Sequence, residues 1–255
     1  MAFYQEFNRY YDDIFPVKPG KVKFLKDSFT ELPDGASLLD IGCGTGGYTI
    51  EMSQAGFKPV GIDYEMAMIE RAREKTAAEG LAIEYKNFDM RDLNDFYSRP
   101  NFYGVYSLGN VLVHLSSEQE ISMMLDKINQ VMHLNGKLVV QIVNYDRVLD
   151  NEVDSLPTIS NEEAGVEFIR HYDLRDDGRI DFKTELVVNK ETDDEKKYRN
   201  SVALYPLRSK EFYSLLENNR FTEIECFGDF QGGKFKPGES FPLIVRATKK
   251  GAILR

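Results

Sequence analysis

A glycine-rich segment, Leu38–Gly47, carries the residue types best suited to binding a ligand. It reads Leu-Leu-Asp-Ile-Gly-Cys-Gly-Thr-Gly-Gly, follows a short apolar run and precedes a helical pattern. Glycine lets the backbone turn sharply and lets a ligand approach where a Cβ atom would clash, so the segment predicts a nucleotide-binding turn. Two spacings remain open. Gly42, Gly44 and Gly47 fit the dinucleotide fingerprint G-x-G-x-x-G, and counting Gly46 in place of Gly47 fits G-x-G-x-G.

Three acidic residues, Asp40, Asp63 and Asp89, follow successive short apolar runs. The carboxyl ends of parallel strands meet at one edge of a sheet, so we expect all three carboxylates around one crevice. Asp40 suits a cationic or amino-bearing ligand better than a pyrophosphate. Asp63 can accept two hydrogen bonds from a ribose diol, and Asp89 can accept one from an adenine amino group while the next N–H donates to the ring. The ligand predicted is an adenosine that carries positive charge instead of phosphates.

These segments resemble those of the class I S-adenosylmethionine-dependent methyltransferases. The resemblance rests on Leu39–Gly46, on Gly61–Asp63 with Met68 and Ala72 in the following helix, and on Asp89-Met90. It covers roughly residues 36–146 and implies a seven-stranded sheet with S-adenosyl-L-methionine bound over the first two strand tips. The cofactor-binding residues expected on this basis are Asp40, Gly42, Cys43, Gly44, Asp63, Tyr64, Met68, Asp89, Met90 and Leu108.

A second segment, Ser107–Leu115, places polar residues after the fourth predicted strand. It resembles the L-G-N-x-x-x-H-L stretch of the glycine and sarcosine N-methyltransferases, and Asn144–Asp146 matches an Asn-Tyr-Asp sequence of the same group. Open α/β sheets bind ligands at the carboxyl ends of their strands. We therefore expect Asn110, Asn144 and Tyr145 to bind the methyl acceptor.

At Val143 the sequence differs from that group. Its members carry an arginine just before Asn-Tyr-Asp that clamps the carboxylate of the amino acid, and valine cannot replace a guanidinium in that role. The resemblance therefore does not extend to glycine as the substrate. Three arginines elsewhere in the chain, Arg170, Arg179 and Arg208, are candidates for reaching the acceptor pocket.

Methyl transfer from a sulfonium is an in-line displacement, which needs alignment of the reacting atoms and exclusion of water more than acid–base chemistry. The candidate catalytic residues are Asn110, which can orient the acceptor, His114, which can accept a proton near neutral pH, and Tyr11. Tyr11 lies in a segment, Tyr10–Phe15, that resembles the opening helix forming part of a cofactor lid in many small-molecule members. Purely structural roles are the alternative for all three.

The elements that must position these residues alternate along the chain. Short apolar runs predict strands at Ser37–Ile41, Pro59–Ile62, Leu81–Tyr85, Val105–Leu108 and Leu138–Val143. Helical patterns cover residues 2–15, 64–79 and 117–134, and another follows Pro19-Gly20. The helix over 117–134 is expected to end at Asn135-Gly136. This alternation predicts an α/β fold with a Rossmann-like sheet flanked by helices.

Residues 147–205 break this pattern with strand-like alternation around Ile180–Val188 and a turn at Asp176–Gly178. We predict a small antiparallel sheet inserted after the fifth strand, which covers the acceptor site or forms a subunit contact. Residues 1–146 and 206–255 then form the cofactor-binding core with an N-terminal helical lid, and the last two strands form its antiparallel hairpin.

Composition limits the partners. The formal net charge of −10 and the pI near 5.0 argue against nucleic acid. Cys43 and Cys226 show no metal-ligand spacing, and neither a signal peptide nor a run of 18 apolar residues is evident. We expect a cytoplasmic enzyme with a small-molecule methyl acceptor, no metal and no membrane contact, with a homo-oligomer possible through the inserted sheet.

Three functions are compatible with these features. The first is methylation of a small molecule by S-adenosyl-L-methionine, at nitrogen in preference to oxygen or carbon. The second is a nicotinamide-dependent oxidoreductase that uses the other glycine spacing, although a second mononucleotide-binding half is not evident. The third is a non-catalytic module that retains the adenosyl pocket for sensing or partner binding.

Overall fold

The computed structural model describes residues 2–251, so Met1 and residues 252–255 of the predicted core lie outside the described residues. Its strands are β1 (Ser37–Ile41), β2 (Lys58–Asp63), β3 (Glu84–Asn87), β4 (Phe102–Ser107), β5 (Met132–Val143), β6 (Ser155–Asn161), β7 (Val166–Leu174), β8 (Ile180–Val188), β9 (Lys196–Leu204), β10 (Phe221–Phe227) and β11 (Pro242–Lys249). Its helices are α1 (Ala2–Ile14), α2 (Pro19–Ser28), α3 (Gly47–Gln54), α4 (Met66–Ala78), α5 (Leu93–Phe96), α6 (Glu118–Val131), α7 (Tyr145–Asp150) and α8 (Ser209–Asn218).

Seven strands form the larger sheet, sheet A, in the order β10-β11-β5-β4-β1-β2-β3. The first five in chain order pair in parallel, and β11 joins β5 and β10 antiparallel. Apolar residues cover both faces, because β1 alternates Leu38 toward a cluster with α2 and α3 and Leu39 toward a cluster with α6 and α8. The predicted Rossmann-like fold is confirmed.

Four strands form a separate antiparallel sheet, sheet B, in the order β6-β7-β8-β9. It follows β5 in the chain, as predicted, and its hairpin turn at Asp176–Gly178 joins β7 to β8. The edge strand β6 was not predicted, because Pro157 and the polar residues around it hide the alternating pattern. Helix α1 packs on sheet B, where the Phe7 and Phe168 rings lie 5.2 Å apart.

Several predicted boundaries are wrong. Helix α6 ends at Val131, and Asn135 with its φ of 62° belongs to a bulge in β5 where the register against β4 shifts. The third strand begins at Glu84 instead of Leu81, and the fourth begins at Phe102 instead of Val105. An Asn-Gly pair with a left-handed Asn is compatible with a helix end and with a strand bulge, so local sequence could not separate the two.

No helix within residues 2–251 combines the length and hydrophobicity needed to cross a bilayer.

Candidate functional site

The glycine loop lies between β1 and α3, and three of its glycines adopt backbone angles that other residues rarely adopt. Gly42, Gly44 and Gly46 have φ angles of 74°, 54° and 75°, in the left-handed region, whereas Gly47 does not. A Cβ atom on Gly42 would come within 2.4 Å of the Val111 side chain. The structure therefore favours the G-x-G-x-G spacing over the dinucleotide fingerprint, because these are the positions where L side chains are strained.

Asp63 ends β2 and faces this loop. One carboxylate oxygen accepts the Gly44 N–H at 2.9 Å, and the other accepts the Glu65 N–H at 2.9 Å. Burial raises the pKa of Asp63, and these backbone donors only partly oppose it. Because each carboxylate oxygen can accept a second hydrogen bond, two hydroxyl donors can still be bound side by side.

Asn87 holds the end of β2 in place, and sequence analysis missed it. Its amide donates to the carbonyl oxygens of Asp63 at 3.0 Å and Tyr64 at 2.7 Å. Tyr64 itself is an exposed residue at the start of the connection to α4. Asn87 sits at a strand tip like the aspartates, but an amide there gives no distinctive signal in a single sequence.

Asp40 lies under the glycine loop instead of at the mouth of the site, which corrects the prediction. Its side chain is only 3% exposed and accepts the Thr49 hydroxyl at 2.6 Å. Burial, with a smaller contribution from the nearby Asp63, raises the pKa of Asp40 to about 7, although the Thr49 hydroxyl opposes the shift. Asp40 therefore has almost no surface free for direct contact with a ligand at the mouth of the site.

Asp89 also departs from the prediction, because it has its own counter-ion. Arg91 donates to it from the backbone at 2.9 Å and from the guanidinium at 2.6–3.1 Å, which lowers the pKa of Asp89. The edge of sheet A thus carries two acidic groups whose pKa values are raised by burial, Asp40 and Asp63, and a third, Asp89, that forms an ion pair. Met90 follows in a short 3-10 turn, partly buried.

The remaining expected cofactor residues pack against protein. The Cys43 thiol points into the protein toward Gly61, and burial raises its pKa well above the ordinary value, so it is a poor nucleophile. Met68 is buried on α4, and Leu108 is buried in the cluster that contains Phe24 and Tyr106.

Helix α1 crosses the glycine loop. A Cβ atom on Gly44 would lie 3.2 Å from the Tyr11 hydroxyl, whose pKa is raised by burial and by Asp63. The next residue, Asp12, accepts hydrogen bonds from the Thr45 hydroxyl at 2.6 Å and the Lys75 ammonium at 2.8 Å. The Asp12–Thr45–Lys75 contact joins residues distant in the chain, so sequence analysis could not find it.

Asn110 and Tyr145, predicted to bind the acceptor, lie together at the tips of β4 and β5. Asn110 has a φ of 72°, accepts the Val143 N–H at 2.9 Å and donates to the Tyr145 hydroxyl at 3.0 Å. Tyr145 is 1% exposed, and burial raises its pKa. Asn110 thus fixes the position of Tyr145, whose hydroxyl stays protonated beside the Tyr172 hydroxyl of sheet B.

Asn144 is not available to an acceptor, which corrects the prediction. Its amide donates to the carbonyl oxygens of Pro237 at 2.7 Å and Ser240 at 2.8 Å, and its side-chain oxygen caps α7. His114 ends a 3-10 turn with its side chain exposed and without a hydrogen bond to any of residues 2–251. Neighbouring protein atoms still desolvate the ring, which lowers the pKa of His114, so the imidazole is neutral at physiological pH.

The three candidate arginines have different surroundings. Arg179 pairs with Asp177 at 2.8 Å, and Arg208 pairs with Asp150 at 2.6 Å and Asp146 at 3.5 Å. Arg170, on β7, forms no ion pair in the part of the chain that the structure describes. Sequence analysis could not rank these residues, because their partners come from other segments.

The chain is similar in sequence to known methyltransferases. Residues 38–136 match the family model described as a methyltransferase domain. A glycine/sarcosine N-methyltransferase of Aphanothece halophytica is 28% identical over 198 residues, which cover 76% of this chain and 69% of that protein. A second one, from Halorhodospira halochloris, is 28% identical over 195 residues, with 76% and 68% covered.

Solved structures share the whole fold. An S-adenosylmethionine-dependent methyltransferase from Clostridium acetobutylicum matches with a TM-score of 0.80 at 15% identity, covering 97% of this chain and 99% of that one. CalS10, an amino pentose methyltransferase from Micromonospora echinaspora solved with S-adenosylmethionine bound, matches with a TM-score of 0.70 at 18% identity, covering 91% and 92%. At these identities the structural matches establish the fold.

Proposed function

Because the chain belongs to the class I S-adenosylmethionine-dependent methyltransferases, we propose that it methylates a nitrogen atom of a small-molecule amine. The observation that carries the proposal is an acidic cofactor edge beside the braced pair Asn110 and Tyr145, in the two segments that resemble the glycine and sarcosine N-methyltransferases. The relatives named for activity on glycine and sarcosine support nitrogen as the acceptor atom. The net charge of −10 supports a small molecule over nucleic acid.

The chain's own residues fit S-adenosyl-L-methionine, the cofactor of this family. Gly42, Gly44 and Gly46 give the loop the left-handed turns of a nucleotide-binding backbone, and Asp63 keeps acceptor capacity for a ribose diol. Asp40 and Asp63 place negative charge there, and within residues 2–251 neither forms an ion pair. A cation suits this edge and a diphosphate does not, which argues against the nicotinamide alternative.

Within that site we assign the ribose to Asp63 and the rest of the cofactor to the backbone of Gly42–Gly44. Tyr64 and Met90 would hold the adenine, and Asp89 would accept from its amino group only through the lone pairs that Arg91 leaves free. We assign Met68 and Leu108 to packing around the site.

The bound cofactor supplies an electrophilic methyl group on a sulfonium, and the protein aligns the amine with it. Asn110 sets the position of the Tyr145 hydroxyl, which can hydrogen-bond the acceptor. Neutral His114 can take the proton that the amine releases, and Tyr11 closes the site against water from the α1 side.

The test is a methyl-transfer assay with S-adenosyl-L-methionine and a panel of primary and secondary amines that includes amino acids and amino sugars. We expect S-adenosylhomocysteine to form with one class of amine, and NMR to place the new methyl on nitrogen. Methyl on oxygen or carbon would refute the acceptor atom. Cofactor binding without turnover on amine, hydroxyl or carbon acceptors would favour the non-catalytic module. Omitting the cofactor is the control.

A further inference from the structure

The buried face of sheet B carries three polar side chains whose inner atoms lack hydrogen-bond partners. They are the Arg170 Nε, the Tyr172 hydroxyl and the Thr184 hydroxyl, each without a partner among residues 2–251. Tyr172 is 5% exposed and Thr184 is 6% exposed. Arg170 and Tyr172 alternate on β7, and Thr184 stands opposite Arg170 on β8. The three therefore form one patch, which we call the β7–β8 polar patch.

Unpaired polar groups are costly inside a protein and are rare for that reason. All three members of the β7–β8 polar patch can donate a hydrogen bond, and one is a cation. Arg170 also donates from Nη2 to the Pro157 carbonyl oxygen and lies 5.9 Å from the Phe168 ring centroid. Neither contact neutralises its charge, so the patch has the character of an anion site.

Contacts on both sides connect the patch to the reaction site. On one side, the ring of Tyr172 lies 6.4 Å from that of Tyr145, whose hydroxyl accepts from Asn110. On the other side, a chain of aromatic contacts runs from Phe168 to Phe15 at 5.7 Å and on to Tyr11 at 5.3 Å, which covers Gly44. The patch thus forms part of the wall that joins the lid helix to the tips of β4 and β5.

We propose that the β7–β8 polar patch is an anion subsite that binds the carboxylate of an acidic amine acceptor, with Arg170 as the charged partner. This inference rests on the proposed function and narrows its substrate to amines that carry one acidic group. It assigns to sheet B the task that an arginine beside Asn-Tyr-Asp performs in the resembling group, where this chain has Val143. One guanidinium and two hydroxyls match a singly charged carboxylate in charge and in donor number.

The turnover test compares amines in matched pairs that differ only in carboxylate against carboxamide, such as β-alanine with β-alaninamide, alongside neutral amino sugars. With the wild-type enzyme we expect kcat/KM for the acids to exceed that for the amides at least about 10-fold. Arg170→Gln should raise KM for the acid about 30- to 100-fold, with kcat changed far less, and should leave the Kd for S-adenosyl-L-methionine unchanged. Arg170→Lys should recover part of the preference for acids.

Two further variants, one within the β7–β8 polar patch and one outside it, test the same proposal. Thr184→Val, which removes a hydroxyl without changing volume, should raise KM for the acid about 3- to 10-fold in a folded protein. Arg179→Gln is the matched control, since Arg179 already pairs with Asp177, and it should leave the preference for acids as it is. An acid-to-amide ratio that Arg170→Gln does not change would overturn the proposal.

A binding measurement separates this inference from the proposed function. In the presence of S-adenosylhomocysteine, propionate should raise the melting temperature of the wild type, propionamide should not, and Arg170→Gln should abolish the effect. This result would support the subsite even if no amine were methylated, which would refute only the proposed function. No response to propionate, a response that Arg170→Gln retains, or an Arg170-dependent response to inorganic phosphate that exceeds the one to propionate would overturn the carboxylate assignment.

Discussion

The carboxyl edge of sheet A and the buried face of sheet B both bury polar side chains, but they satisfy them in different ways. On sheet A, Asp63 accepts two backbone N–H groups and Asp40 accepts the Thr49 hydroxyl. On sheet B, Arg170 and Thr184 bury polar atoms without a partner anywhere in the described part of the chain. On sheet A the two buried carboxylates already accept hydrogen bonds from protein donors before a ligand arrives, whereas sheet B leaves buried donors for a ligand to satisfy.

The two regions also differ in the sign of their charge. The edge of sheet A holds Asp40 and Asp63 without a basic partner, and sheet B holds Arg170 without an acidic one within residues 2–251. Buried charge is costly unless something of opposite sign approaches it. A cationic cofactor at sheet A and an anionic acceptor group at sheet B would each supply the missing opposite charge. The following substitutions test this difference between the two sheets.

The largest effect is expected at Asp63. Asp63→Ala should weaken binding of S-adenosyl-L-methionine by about 1.5–3 kcal/mol, because a charged hydrogen-bond acceptor for the ribose is removed. Calorimetric titration measures the change. Asp89→Ala is the control, and we expect a smaller loss because Arg91 already occupies that carboxylate. An unchanged dissociation constant for Asp63→Ala would count against the ribose assignment.

Thr49→Val should destabilise the fold by about 2 kcal/mol, since it leaves the buried Asp40 carboxylate without its hydroxyl donor. Urea unfolding of the protein without cofactor measures the free energy of unfolding. The change keeps side-chain volume, so lost packing contributes little. A neutral or stabilising result would show that the polar groups of sheet A are not satisfied internally.

Asp40 should make stability depend on pH. Its pKa is raised by burial from 3.8 to about 7, so the native state binds more protons than the unfolded state between about pH 4 and 7. Its contribution to the free energy of unfolding therefore falls as pH rises through that window. Asp40→Asn removes this dependence and should gain about 1–2 kcal/mol on the wild type between pH 4 and 8, as measured by urea unfolding.

A parallel titration of Asp40→Asn tests the charge assignment. The variant should lose affinity for the cationic S-adenosyl-L-methionine more than for the uncharged thioether S-adenosylhomocysteine. Equal losses would mean that the Asp40 charge does not act on the sulfonium.

The smallest effect, of opposite sign to that of Thr49→Val, is expected at Thr184. Thr184→Val removes a buried hydroxyl that has no partner within residues 2–251, so without ligand it should raise the free energy of unfolding by about 0.5–1 kcal/mol. The same urea titration compares the two isosteric changes. Destabilisation by Thr184→Val would indicate that the hydroxyl is already satisfied, and it would remove the distinction between the two regions.

Much of the cofactor region was predictable because its information is local. The glycine spacing, the acidic strand tips and the alternation of strands and helices each lie within short stretches, and each reflects backbone geometry or strand order. The fold class and the position of the inserted sheet follow from them and are confirmed. The edge strand β6 and the end of α6 were missed because Pro157 and Asn135 carry local signals that fit more than one structure.

The state of each buried side chain was decided by tertiary structure alone. Asp40 and Asp89 look equivalent in the sequence, yet one is buried under a loop and the other is paired with Arg91. Arg170 and Arg179 likewise differ only in what other segments bring to them. The sequence by itself determined which residue types stand at the strand tips and so the class of cofactor. Only the packing of α1 and sheet B decided which charges stay unpaired, because burial and pairing depend on distant parts of the chain.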